Sequence, residues 1–539
     1  MALSPTRADI EQALARSDIR RAADLALRAI AAGQEDPMFY NLAAWDREEV
    51  GDFAGASALL EKAAALAPGD PLIVAATGAS LRRADRLDEA LRRLDQALAI
   101  QPNLAVAWLE RGFCLEAGGS FRLAEDSYRR AAHFDPGCAE AFAGVASIAA
   151  RNGVNGVARQ FATHALTRKP GEPVAELVLI GLDVEGDEKV DALARLSRLL
   201  GRDDLDAATR DDALMLMADL LRKMGRVDDA FTTYAQVQSR HRIRYAERFG
   251  GAQGVPTYLD QLNRIDADFA AADTAHWPLR QDVPVEGQAA GHLFLMGFPR
   301  SGTTLVENIL ASAPGVIALE ERPTLAASNK AFLEQGGRFD DLCALDGIAA
   351  RPFVQEYWNK VAACGVDVRG RTLVDMDPLK GSQLPVITRL FPDARIIVMR
   401  RDPRDVVWSC FRYAFRMSPA TWHFTSLVDT ARTYDAMMRL IERCLTTMPV
   451  AAHDLHYAAL VSDFDGETRR LCDFAGIEWT AAMRDFHRTA QQRGVSTNSV
   501  KQVRQGLFDG GGQWRPFARH LEPIMPILKP WIDKFGFAD

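Results

Sequence analysis

The chain has 539 residues, 48% of them hydrophobic, and a formal net charge of -8. That length exceeds one ordinary domain and implies about two to four. The acidic balance argues against bulk binding to nucleic acid or to an anionic membrane surface, and seven scattered cysteines without a CxxC pair argue for reduced thiols rather than a disulfide framework or a zinc site.

The first residues, MALSPTRADIEQALARSDIRRAADLAL, lack the apolar core of a secretory leader, and no stretch reaches the apolar length of a membrane span. A cytoplasmic location is therefore expected. From there a repeat dominates. Pro68, Pro102, Pro136 and Pro170 are spaced by 34 residues. Ala63, Ala97, Ala131 and Ala165 keep the same period, as do Ala56, Ala90, Ala124 and Ala158, and Gly78, Gly112 and Ala146. An Ala-rich helical region would give alanines but not prolines in phase with them. Small residues suit the closest approach of two helices, and proline ends a helix because it lacks an amide donor and restricts its predecessor. The pattern resembles the tetratricopeptide repeat. It extends back through Ala22, Ala29 and Ala44, weakens over about 173–206 where Ala192 is kept, and returns with Ala218 and Ala230. About six or seven hairpins are expected within residues 3–245, stacked as a solenoid of the kind that binds a peptide or a neighbouring domain.

Residues 246–288 are rich in Gly and Pro and read as a linker around one helical piece, YLDQLNRIDADFAAAD. From 289 to 539, short apolar runs alternate with helical segments, the pattern of an α/β domain with a mainly parallel sheet. Strands are expected at 292–297, 371–376, 394–400 and 449–457.

GFPRSGTTLVENILAS (297–312) follows directly on the first of these strands and turns into a helix with Leu305, Ile309 and Leu310 at helical spacing. Strand, glycine-bearing turn and helix start together make an anion site, because free amides and the positive helix end face the ligand. Thr303 and Thr304 add hydroxyl donors. The GxxxxG spacing is that of a nucleotide triphosphatase loop, but Thr303 stands where such an enzyme needs lysine, and the charge is carried instead by Arg300. The PRSGTT segment resembles the 5′-phosphosulfate loop of the sulfotransferases that use 3′-phosphoadenosine 5′-phosphosulfate (PAPS). Pro299, Arg300, Ser301, Gly302, Thr303 and Thr304 are then candidate donor contacts, with Arg300 able to fork onto phosphate or sulfate oxygens.

A second strand–turn–helix unit, FPDARIIVMRRDPRDVVWSCF (391–411), carries Arg401 and, eight residues on, Ser409. In that family an arginine and a serine so spaced bind the 3′-phosphate of the nucleotide. The segments YAALVSDFDGETRRLCDFAGIEW and VSTNSVKQVRQGLFDGGGQWRPF extend the resemblance, the latter to the loop that closes over the nucleotide in bacterial and protein-tyrosine sulfotransferases. The resemblance covers essentially all of 289–539 and implies Tyr457, Ser499, Arg504, Trp514 and Arg515 as further nucleotide contacts. His453 and His456 receive no role.

The same resemblance implies in-line sulfuryl transfer to an acceptor hydroxyl, on a peptide, protein, sugar or small phenol, with no metal. Glu321, in VIALEERPTL, falls where the protein-tyrosine branch carries its base, and partial burial beside Glu320 would raise its pKa to a useful value. Arg300 would stabilise the transferring group. The relatives carry a lysine where this chain has Met376, so Lys380, four residues on, is the candidate to assist the leaving oxygen. Two other readings stand beside an active enzyme: a tetratricopeptide scaffold with a degenerate nucleotide domain, and a triphosphatase or kinase, which the missing lysine disfavours. The expected architecture is thus an α-helical solenoid (1–245), a linker (246–288) and a P-loop-like α/β domain (289–539). The sequence sets no oligomeric state.

Overall fold

A computed structural model of the chain describes residues 5–184, 189–274, 277, 285–493 and 506–537. Its packing divides into two compact units, Met1–Thr209 and Arg210–Asp539.

The first unit is helical throughout its described residues, from Arg7–Ala15 to Lys189–Leu200, and each helix packs on the next. The repeated alanines explain why. Ala56, Ala90, Ala124 and Ala158, and in the second series Ala63, Ala97, Ala131 and Ala165, are fully buried between helices. At Gly78 even a methyl group is too large, since a Cβ there would stand 2.6 Å from Cγ of Leu94. At Gly112 it would stand 2.4 Å from the Tyr128 ring. The helices ending at Leu66, Ile100, Phe134 and Arg168 each stop two residues before the repeated proline, as the restriction on the residue preceding proline requires.

The second unit opens with a further hairpin, Ala207–Lys223 and Val227–Arg244, in which the Tyr234 hydroxyl donates to Asp219 (2.6 Å). Helix Tyr258–Ala271 follows. Its buried Asp266 accepts from Arg439 (2.8 Å) and Arg443 (2.7 Å) on helix Leu427–Thr447. Trp277 is buried as well, its carbonyl accepting from Arg389 (2.6 Å). These contacts tie helix Tyr258–Ala271 and Trp277 into this unit.

Five strands form its sheet: β1 (Gly291–Met296), β2 (Val316–Glu320), β3 (Thr372–Met376), β4 (Arg395–Arg400) and β5 (Ala452–His456). The order is β2-β3-β1-β4-β5, and every neighbouring pair is parallel. β1, β3 and β4 read as near-continuous apolar runs because helices cover both faces of a parallel sheet. One face packs on helices Thr303–Leu310, Phe464–Ala475 and Phe486–Arg493 through Leu295, Ile309, Ile397, Leu471 and Phe486. Helix Leu427–Thr447 packs on the turn Pro378–Gln383 that follows β3, so closely that a Cβ at Gly381 would meet Ile441 at 2.6 Å. β2 was not expected from the sequence. Parallel strands end on the same side of a sheet, so the segments leaving β1, β2, β3 and β4 gather at one edge. That is where open α/β sheets bind ligands. No helix among the described residues is long and apolar enough to cross a membrane.

Candidate active site

The loop leaving β1 is built by its glycines and by strain at one arginine. Gly297 must be glycine, since a Cβ there would sit 2.8 Å from Oγ of Ser301 and 3.0 Å from the Met399 carbonyl. Gly302 has φ +109° and starts helix Thr303–Leu310. Arg300 adopts φ +71°, a left-handed conformation that costs a residue with a side chain about 1–2 kcal/mol. This backbone turns the Arg300 guanidinium towards helix Pro403–Phe411, where Nε donates to Oγ of Ser409 (3.1 Å). The guanidinium also lies over the Tyr413 ring, 5.2 Å from its centre. Burial, with Arg412 and Arg401 nearby, lowers its pKa, and Tyr413 opposes the shift. An arginine lowered from so high a starting value stays charged.

Arg401, one residue beyond β4, joins the two strand tips. Its Nη1 donates to the Arg300 carbonyl (2.8 Å) and its Nη2 to that of Gly510 (2.5 Å). Its guanidinium lies 4.7 Å from the centre of the Tyr457 ring, and the Tyr457 hydroxyl donates to the Phe508 carbonyl (2.9 Å). The C-terminal loop is further pinned by Asp405, which accepts from the amides of Gly512 (2.7 Å) and Trp514 (3.0 Å).

These groups form a cleft lined by Arg300, Thr304, Arg401, Ser409, Arg412 and Tyr457 together with residues of the C-terminal loop. It is strongly basic. Among the described residues, Nε of Arg401 and Oγ of Ser301 are buried without a hydrogen-bond partner, and buried polar atoms are normally paired. Three arginines, three hydroxyls and a helix start on one cleft fit an anion bearing phosphate groups.

A second cleft adjoins the same loop. Arg300, Gly302 and Thr304 line both. Here they meet Pro299, Thr303, Glu321, Asp377, Leu379 and Phe415. Glu321 follows β2 at φ +42°, held by its amide on the Met376 carbonyl (2.8 Å). The protein mass around its carboxyl, then Asp377, Glu320 and Glu307, push its pKa up to about 8, against the pull of Lys380. Glu321 is nevertheless an exposed residue, so solvent weakens the contribution of burial as well as that of its charged neighbours. Burial raises the pKa of Asp377 too, again opposed by Lys380.

The structure thus brings together Pro299, Arg300, Gly302, Thr303, Thr304, Arg401, Ser409, Tyr457 and Glu321 on two clefts that share a wall, with Ser301 buried within the loop. Other expectations need correction. Lys380 lines neither cleft: its ammonium is buried in an ion pair with Asp375 (2.7 Å) and donates to the Arg322 carbonyl (3.4 Å), so it reaches Glu321 only through its field. Met376, at the relatives' lysine position, points into the sheet core. Trp514 is buried under the Arg404 guanidinium (4.1 Å) and Arg515 is exposed; neither lines the donor-side cleft. Tyr457 begins helix Tyr457–Ser462 rather than ending a strand. Ser499 and Arg504 lie outside the described residues. Arg412 was missed, although its place three residues after Ser409 puts it on the same helix side; its Nη2 donates to Gln513 (2.6 Å).

The helix carrying Ser409 leans on the hairpin Ala207–Lys223 and Val227–Arg244. Phe231 stacks on Trp408 (6.0 Å between ring centres) and Tyr234 meets it edge-on (5.7 Å). The buried Gln238 amide donates to the carbonyls of Phe411 (2.6 Å) and Tyr413 (3.1 Å), which flank Arg412.

A parallel sheet thus carries an arginine-bearing loop on one strand tip, an arginine–serine pair on the next and a carboxylate across the loop. Residues 292–481 match the model of the Sulfotransferase family, and residues 212–242 match the tetratricopeptide repeat. Over these residues the chain is similar to the Sulfotransferase family and to the tetratricopeptide repeat. Protein-tyrosine sulfotransferase 1 of Danio rerio is 27% identical over 264 residues, 46% of this chain and 72% of that protein. An uncharacterized protein of Aquifex aeolicus (strain VF5) is 26% identical over 252 residues, 45% of this chain, and the match spans 33% of that longer protein. Among solved structures, the type IV pilus biogenesis factor PilW is similar over 38% of this chain and 92% of its own, at 20% identity and a TM-score of 0.32.

Proposed function

We propose that the second unit transfers the sulfuryl group of PAPS to an acceptor hydroxyl, with Glu321 as the base. The observation that carries this reading is the shared wall. One loop presents arginine and hydroxyl groups to a basic cleft on one side and to a carboxylate-bearing cleft on the other, as a transfer between two bound substrates requires.

In this reading Arg401, Ser409 and Arg412 hold the 3′-phosphate end of the donor, and Arg300 with the loop amides holds the phosphosulfate end. Glu321 takes the acceptor proton as the acceptor oxygen bonds to sulfur. The sulfur–oxygen bond to the nucleotide 5′-phosphate breaks, and adenosine 3′,5′-bisphosphate leaves with that oxygen. Arg300, aligned to both clefts, offsets charge on the transferring group and the leaving phosphate. The acceptor is a hydroxyl compound, with a peptide or protein side chain in the class suggested by the tetratricopeptide array.

A second reading, binding without transfer, is favoured by one observation: neither Met376 nor Lys380 brings an ammonium group to either cleft. A single experiment separates the two. The full-length protein is given sulfur-labelled PAPS and a panel of phenols, sugars and tyrosine peptides, and acceptor-dependent release of adenosine 3′,5′-bisphosphate is measured. Release that Glu321→Gln abolishes supports transfer. Tight nucleotide binding with no release across the panel supports the binding-only protein.

A further inference from the structure

The cleft on the Glu321 side has a charge pattern of its own, and reading it rests on the assignment of that cleft to the acceptor. Two carboxylates, Glu321 and Asp377, line it, with Glu320 and Glu307 close behind Glu321. Arg300 is the one cation among the residues lining the cleft, and it is shared with the basic cleft, where its Nε donates to Ser409. Lys380 is spent on buried Asp375, and Arg493 is paired with Glu307 (2.9 Å). Arg322 and Arg416 are exposed to solvent and do not line the cleft, so water and salt screen them from its interior. The rest of the lining is apolar or hydroxyl-bearing: Pro299, Pro378, Leu379, Phe415 and three threonines.

One carboxylate suffices to take a proton. The second has a fixed orientation, because Asp377 caps the turn Pro378–Gln383 by accepting from the amide of Leu379 (2.8 Å). We propose that this cleft takes a hydroxyl compound bearing a positive charge beside an aromatic or apolar body, and that Asp377 selects for that charge. The body packs on Phe415 and Leu379, the cationic group faces Asp377, and the hydroxyl lies by Glu321. Where both carboxyls are ionised, towards alkaline pH, an acidic acceptor would meet two like charges against the single lining cation, Arg300. A cation between the carboxylates also favours their ionised forms, so the preferred acceptor helps to keep its own base deprotonated.

The test uses three phenols of similar size: tyramine (cationic), p-cresol (neutral) and 4-hydroxyphenylacetate (anionic). Each is titrated calorimetrically into the full-length protein saturated with adenosine 3′,5′-bisphosphate, and each is then assayed for sulfate transfer from PAPS. Tyramine is expected to bind roughly tenfold more tightly than 4-hydroxyphenylacetate, with p-cresol between, and the gap should shrink as salt is added. Asp377→Asn keeps the capping oxygen and should reduce the gap to threefold or less. Leu379→Lys, which adds a cation to the lining, should reverse it and serves if the asparagine variant does not fold. Equal or reversed affinities in the unaltered protein, or a gap untouched in both variants, overturn the proposal. Binding with the expected order but no transfer to any phenol counts against sulfotransfer and leaves the charge selection standing. Transfer that favours 4-hydroxyphenylacetate does the opposite.

Discussion

The Arg401 guanidinium donates to the main-chain carbonyl of Arg300 at 2.8 Å, so the residue at the tip of β4 holds the strained turn that follows β1. The two anion-binding arginines are therefore not independent. Removing Arg401 withdraws a charge from the cleft and also frees the backbone that aims Arg300.

From this contact, Arg401→Ala should weaken adenosine 3′,5′-bisphosphate binding by about 10- to 100-fold, the loss expected for a charge-assisted contact. Adenosine 5′-phosphate, lacking the 3′ group, should lose less. Calorimetric titration of both nucleotides checks this, and equal losses would remove Arg401 from the 3′-phosphate.

Glu321→Gln should lower kcat by roughly 10²- to 10⁴-fold while nucleotide affinity stays nearly constant. The pH dependence has a definite sign. A carboxyl whose pKa is pushed up to about 8 is mostly protonated below that pH, and a base acts only when ionised. The kcat/KM of the unaltered protein should therefore climb as pH rises from 6 to 9, and the residual rate of the glutamine variant should lack that rise. An unaltered protein with a flat profile over this range would exclude Glu321 as the base.

Met376→Lys restores the relatives' residue in sequence but not in space. The side chain lies in the core with Leu295 and Val306, where an ammonium group has no partner. We expect destabilisation of about 2 kcal/mol or more and no gain in rate. Thermal unfolding and turnover, measured together, decide it. A folded variant that turns over faster would show that this strand end reaches the cleft.

Gln238→Leu should leave the carbonyls of Phe411 and Tyr413 without the amide that now meets them, loosening the segment that carries Arg412. Nucleotide affinity is expected to fall about three- to tenfold. A drop in melting temperature with unchanged affinity would mean that the hairpin supports the fold alone.

Several of these relationships were legible in the sequence, and the reason differs from case to case. The helical array could be read because close helix contacts admit only small residues at fixed intervals, so Ala56, Ala90, Ala124 and Ala158 record the packing directly. The two anion elements could be read because PRSGTT and the Arg401–Ser409 spacing are local, each within one strand–turn–helix unit. β2 escaped notice: VIALE is five residues long and sits at the sheet edge, where hydrophobic pattern is weakest. Lys380 was misjudged because its partner, Asp375, belongs to the core of a strand and decides the matter through burial. The place of Gln513 on the basic cleft has no local signal, because Asp405, over a hundred positions away, grips the amides on either side of it and so sets which way that loop faces. The hairpin Ala207–Lys223 and Val227–Arg244 has repeat-like alanines, Ala218 and Ala230. Its packing with the second unit follows from the stacking of Phe231 on Trp408, a pairing 177 positions apart.

The left-handed backbone at both Arg300 and Glu321 has a consequence for durability. A glycine at either place would adopt the same dihedral angles without steric cost, and at 321 it would also relieve the crowding of Asp377, Glu320 and Glu307 against a further acid. Glu321→Gly should therefore yield a protein that survives to a higher temperature, by about 1 kcal/mol of added stability, while doing no chemistry. The glutamate at this turn is thus carried at a cost to the fold.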